Sequence, residues 1–197
     1  MKNKKNRDMA FTALFLAIEV LMVFVPFLGF IPIGPIRATT LHIPVIIAGI
    51  VLGKKKGAFL GFVFGLSSLI INTIQPTITS FVFSPFLSGS LFSIIIAIIP
   101  RVCIGYIAGW IYEHFKKHQT YAMIAGSLLA SLTNTILVLL GIYFLFGNQY
   151  ALLIQKDYDA LFPYLITILS TNGIIEAVVG TIIAVLVSKT LLKIYKY

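Results

Sequence analysis

Charge is scarce in this chain: Asp, Glu, Lys and Arg make up 11% of its 197 residues, against roughly 25% in an ordinary soluble domain. Hydrophobic residues make up 59% and mean hydropathy is +1.01, so a water-soluble globule is excluded as the natural reading. Cys103 stands alone, which rules out an intrachain disulfide and a cysteine-built metal site. Reactive motifs are missing as well: HExxH, GxSxG and a Walker phosphate loop do not occur. The chain is therefore not read as an enzyme and cannot hydrolyse ATP itself. An intramembrane enzyme would have only His42 with Glu19 or Glu176 as an acid–base set. His114 and His118 are four apart, but beside Lys116 and Lys117 they read as a solvated basic face. No metal and no cofactor is expected.

Acids are few too, six against fifteen bases, giving a net charge of +9. Such an excess suits nucleic acid until its placement is considered. Lys2, Lys4, Lys5 and Arg7, then Lys54 to Lys56, then Lys116 and Lys117, then Lys189, Lys193 and Lys196 lie at the chain ends and in alternate short loops. That is the positive-inside pattern of a membrane protein with both termini cytoplasmic, and no nucleic-acid partner is expected.

What is abundant is long apolar runs. Spans of about 20 residues cross a bilayer, and runs near 9–29, 39–53, 57–73, 87–112, 120–146 and 163–189 predict six helices. The fold class expected is an all-α integral membrane protein, one domain over 1–197, a bundle of six transmembrane helices. The basic start lacks a small-x-small cleavage site, so the first run reads as a retained helix. Gly29, Pro32, Gly34 and Pro35 predict a stiff outer loop carrying Arg37. A second outer loop, 75–86, is chargeless and holds Pro76, Phe81, Phe83, Pro85 and Phe86. Either it folds back over the bundle and covers something, or it lies in the interface as an aromatic belt. A third, from Gly147 to Phe162, carries Lys156, Asp157 and Asp159.

Polar side chains within the spans form a layer. At helical rise, Glu19, His42, Arg101 and Glu176 stand roughly 17 to 20 Å above the basic clusters and Asn134 about 21 Å; Asn172 is one turn above Glu176. Small residues at four-residue spacing mark closely packed faces: Gly57, Gly61 and Gly65; Ala97, Arg101, Gly105 and Gly109; Ala122, Gly126, Ala130 and Asn134; Asn172, Glu176, Gly180 and Ala184. Each polar residue thus sits on a protein-facing stripe. Two readings remain open, internal glue in which Arg101 pairs with Glu176 and the asparagines bridge helices, or a polar-lined ligand cavity. On the first helix Ala13 and Ala17 make a small-xxx-small face, with Glu19 about 200° away from Ala17.

The size, the six spans, the Ala13/Ala17 pair and the aromatic loop resemble the substrate-binding S component of energy-coupling factor (ECF) vitamin transporters, over the whole chain. ThrThrLeuHisIleProVal at 39–45, SerPheValPheSerProPhe at 80–86 and IleProArgVal at 99–102 are similar to its pantothenate branch. The resemblance implies a binder in a bacterial plasma membrane that captures a vitamin from outside. It also implies a separate module of one membrane coupling subunit and two ATPases as partners, docking at Ala13 and Ala17. Arg101 would suit a carboxylate, Asn72, Asn134 and Asn172 the hydroxyls and amide, and Phe81 and Phe83 a closing lid; His42 and Glu176 complete the candidate site. Neighbouring branches take hydroxymethylpyrimidine, pyridoxine or folate. A self-sufficient secondary transporter is the alternative from another class, and would show inverted repeats, of which the halves give no clear sign.

Overall fold

The structure, a computed structural model, describes residues 2–25, 29–33 and 36–196. Its helices longer than one turn are α1 (Lys2–Phe24), α2 (His42–Leu52), α3 (Lys54–Ile74), α4 (Phe92–His114), α5 (Gln119–Leu153), α6 (Tyr158–Ile168) and α7 (Ile174–Lys196). A π-helical turn, Leu169–Gly173, joins α6 to α7. Four stretches are long and apolar enough to cross a membrane among the described residues: Lys54–Ile74, Phe92–His114, Lys116–Leu153 and Tyr158–Tyr195. Large apolar side chains such as Phe59, Ile99, Phe144 and Leu186 project from them exposed, a surface that water would penalise and lipid does not.

Several expected boundaries move. The helix expected at 39–53 starts at His42, because Thr39 ends an antiparallel ribbon, β1 (Phe30–Ile33) with β2 (Ile36–Thr39). Gly34 and Pro35 of the expected stiff loop lie outside the described residues. The expected loop from Gly147 to Phe162 shrinks to Ile154–Asp157, since α5 continues to Leu153 and α6 starts at Tyr158. Gly147 stays helical, and its missing side chain makes room for the Tyr158 ring, 2.5 Å from where a Cβ would stand. The turn that does break the helix uses Gln155 at φ 53.

The core is organised around α2. Every residue from His42 to Val51 is buried, so this helix is apolar all round and enclosed by its neighbours. Against it and against each other, α3 and α4 pack backbone to backbone. A Cβ on Gly65 would lie 2.8 Å from the Ala97 carbonyl oxygen, one on Gly109 2.6 Å from that of Gly49, and one on Gly61 would overlap the Arg101 carbonyl. The glycine stripe of α3 thus faces the Ala97/Arg101/Gly105/Gly109 stripe of α4. A second apolar cluster, with Val82, Ile96, Phe146, Leu161 and Leu165, fills the opposite end of the bundle.

The first and last helices meet at one end. Asp8 accepts from Lys56 Nζ at 2.5 Å and from the Tyr195 hydroxyl; the Arg7 guanidinium lies 4.7 Å from the Tyr195 ring centre, and Lys54 pairs with Glu113 at 3.3 Å. The Asp8 and Arg7 contacts tie α1 to the start of α3 and the end of α7, and Lys54–Glu113 ties α3 to the end of α4.

Because the α3–α4 contact leaves no space for a methyl group, Gly61→Ala is expected to cost about 1 to 3 kcal/mol through overpacking. It is measured as a lowered thermal unfolding midpoint in detergent; an unchanged midpoint would mean that the two helices part freely.

Candidate functional site

Above the first turn of α2 the bundle is hollow. A cavity of about 440 Å³ is bounded by Val23 of α1, Thr39 and His42, Phe64, Ser68 and Asn72 of α3, Gln75, Thr77, Thr79 and Phe83 of the following loop, Arg101 of α4 and Asn134 of α5. Five of the residues singled out in the sequence come together here: His42, Asn72, Phe83, Arg101 and Asn134.

Arg101 dominates the electrostatics. It is 8% exposed, and its guanidinium carbon lies 4.9 Å from the Phe83 ring centre and 5.6 Å from that of Phe64. Aromatic faces attract a cation but do not neutralise it. The two ion pairs among the described residues, Lys54–Glu113 and Lys56–Asp8, leave Arg101 out. Its Nη1 donates to the Ile96 carbonyl at 2.9 Å, while the buried Nε has no partner among the described residues. A buried charge normally comes paired, so the cavity is built with one positive charge in surplus.

Glu176 does not supply the missing counter-charge. Its two oxygens accept from the Thr39 backbone N–H at 2.9 Å and from the Thr39 hydroxyl at 3.0 Å, fastening β2 to α7. Thr39 also meets His42, whose ring hydrogen-bonds its backbone and lies 3.3 Å from Ser131 Oγ. Gly180 makes this possible, since a Cβ there would sit 2.6 Å from His42 Nε2. Glu176 therefore shapes the cavity wall through Thr39. Asn172 lies half-buried in the π-helical turn, outside the lining residues.

The two asparagines on the cavity differ. Asn134 borders the cavity, and its Oδ1 is buried without a partner among the described residues. Asn72 is already committed: its amide donates to the Ser68 carbonyl at 2.8 Å, and its Oδ1 accepts from Ser80 at 2.6 Å.

That second bond explains how a chargeless loop survives over the cavity. Hydroxyls carry its polar work: Ser80 Oγ accepts from the Thr77 N–H at 2.9 Å, Thr73 and Ser84 meet at 2.8 Å, and Ser93 Oγ donates to the Phe81 carbonyl at 3.0 Å. Ser80, Ser84 and Ser93 are fully buried. Val82 and Phe83 turn inward while Ile78 and Phe86 face out, so the loop both covers the hollow and presents an apolar outer surface. Phe81 is part of the covering layer, packed edge-on against Phe146 at 5.9 Å, and does not reach the cavity.

On α1, Ala13 and Ala17 are exposed and Glu19 is fully buried. Ala17 floors a shallow apolar groove with Leu16, Val20, Leu21, Phe24 and Val25. Neither Glu19 oxygen has a partner among the described residues, and Glu19 is not among the cavity residues.

A family described as ECF transporter, substrate-specific component, matches residues 7–188. The chain belongs to this family. Two relatives of the S component are similar over nearly their whole length. The pantothenic acid transporter PanT of Lactococcus lactis subsp. cremoris (strain MG1363) is 35% identical over 200 residues, covering 98% of this chain and 97% of that one. The pantothenate transporter PanT of Leuconostoc mesenteroides subsp. mesenteroides is 31% identical over 205 residues, covering 98% and 96%.

Some of the S component's lining residues carried no signal in the sequence. Thr39, Ser68, Thr77 and Thr79 are small hydroxyls of the kind that also cap and bridge helices everywhere, and only the absence of charge from 75 to 86 hinted that hydroxyls had to do the polar work there.

Removing the Asn72 carboxamide takes away the acceptor that pins Ser80. Asn72→Ala is therefore expected to weaken the loop locally by about 1 to 3 kcal/mol, read as faster amide exchange across residues 77–84; unchanged protection would assign the pinning elsewhere.

Proposed function

We propose that this S component binds pantothenate from outside the cell and delivers it across the membrane together with a coupling subunit and two ATPase subunits, which hydrolyse the ATP. The observation that carries the reading is the Arg101 guanidinium, buried on the wall of a cavity with no carboxylate partner among the described residues. Pantothenate is an anion bearing hydroxyls and an amide. Its carboxylate would complete the ion pair that the protein leaves open, and Asn134 Oδ1 would accept from a hydroxyl or the amide N–H.

Two further features favour a small, anionic ligand, the first its size and the second its charge. The cavity volume, about 440 Å³, falls within the roughly 300 to 1,000 Å³ of small-molecule sites. The N-terminus of α2 borders the cavity through His42, and a helix N-terminus carries partial positive charge. The names of the two relatives point the same way.

In this reading all six expected elements lie in the membrane, α6 and α7 crossing as one, with both termini and the Asp8–Lys56–Tyr195 cluster on the cytoplasmic side. Support comes from the basic residues gathered at that end. Ala13 and Ala17, exposed on α1 beside the apolar groove, form the docking face for the coupling subunit.

The test is to purify the chain from rich medium in mild detergent, identify the co-purified small molecule by mass spectrometry, and titrate the ligand-free protein with pantothenate. Arg101→Gln is expected to weaken binding about a hundredfold, the equivalent of about 3 kcal/mol of charge-assisted hydrogen bonding. A co-purified neutral pyrimidine or pyridine, or a variant that binds pantothenate as tightly as the parent, would overturn the assignment.

A further inference from the structure

In a regular α-helix the N–H of residue 100 donates to the carbonyl of residue 96. Pro100 has no N–H and lies buried inside α4, so the Ile96 carbonyl loses its helical donor. At membrane depth such a carbonyl needs another partner. The donor is the next residue's side chain: Arg101 Nη1 reaches back five positions to Ile96 O at 2.9 Å, in a buried setting. The guanidinium is thereby drawn toward the N-terminal end of α4, between Phe83 and Phe64 and onto the cavity wall.

We infer that Pro100 is the positioning residue for Arg101. By withholding its own N–H, it keeps the Ile96 carbonyl as a tether for one guanidinium nitrogen. That holds the rest of the guanidinium, on the cavity wall, in place for the carboxylate of an incoming ligand. A proline that merely bends a helix needs no neighbouring arginine; here the orphaned acceptor and the donor that satisfies it are two halves of one device. The inference rests on the reading of Arg101 as the carboxylate site.

Pro100→Ala restores an N–H that takes over the Ile96 carbonyl and releases the tether, and Pro100→Ser supplies the same N–H. The experiment titrates full-length wild type, both Pro100 variants and Arg101→Gln in detergent with pantothenate and with pantothenol, its neutral alcohol analogue. Unfolding midpoints of the ligand-free proteins are recorded alongside. The expected result is a loss of about tenfold for pantothenate in both Pro100 variants, with pantothenol changed by less than about twofold. The midpoints should not fall, because Ala is the better helix former. Combining Pro100→Ala with Arg101→Gln should add no further loss for pantothenate. Equal losses for acid and alcohol would assign Pro100 to helix shape and overturn the inference, as would an undiminished pantothenate affinity. Should Arg101→Gln leave both ligands bound as in the wild type, the carboxylate reading itself fails, an outcome separate from a failure confined to Pro100.

Discussion

A guanidinium held inside a membrane protein without a counter-ion constrains everything around it. Desolvating a charge is costly, and an unpaired one is tolerated only where hydrogen bonds, ring faces or a bound ion compensate. The protein supplies the first two through Ile96, Phe64 and Phe83 and leaves the third open. Phe83 belongs to the covering loop, so that loop must be anchored, and it is, by the Asn72–Ser80 and Thr73–Ser84 bonds. Arg101 belongs to α4, so α4 must be fixed in depth and rotation, and the glycines of α3 do that by pressing directly on its backbone. Placement of one side chain thus draws on the loop, two helices and a proline.

Much of this was legible in the residues because it follows periodicity. Four-residue spacing of small residues identified the faces of α3 and α4, and the structure turns those two stripes toward each other. The same spacing put Arg101 and Asn134 on protein-facing sides, where they border the cavity. Ala17 and Glu19 were expected on opposite sides of the first helix, and one is exposed while the other is buried.

Features without a period were not legible. The ribbon of β1 and β2 sits in sequence that reads as loop and helix start, and its pairing is set by backbone contacts with no repeating side-chain pattern. The π-helical turn at Leu169–Gly173 involves no proline, so nothing marks it in a run of Ser, Thr and Asn. Glu176 shows the limit most clearly. Its depth and facing suggested a partner for Arg101 or for a ligand, whereas both its oxygens are taken by Thr39, 137 positions away in the chain. A long-range bond between a carboxylate and a strand end leaves no trace in local sequence. Asn172 was placed by the same reasoning and lies in the π-helical turn, outside the lining residues.

The eleven residues of α2 reach about 16 Å, roughly half of the hydrocarbon thickness. The vacancy that this stub leaves beside its full-length neighbours is the vault itself, with β2 and the covering segment serving as walls and roof. Capacity is therefore set by where one rod stops. Evolution could resize the chamber for a bulkier or slimmer guest by trimming or extending that rod by a turn, leaving the surrounding pillars untouched.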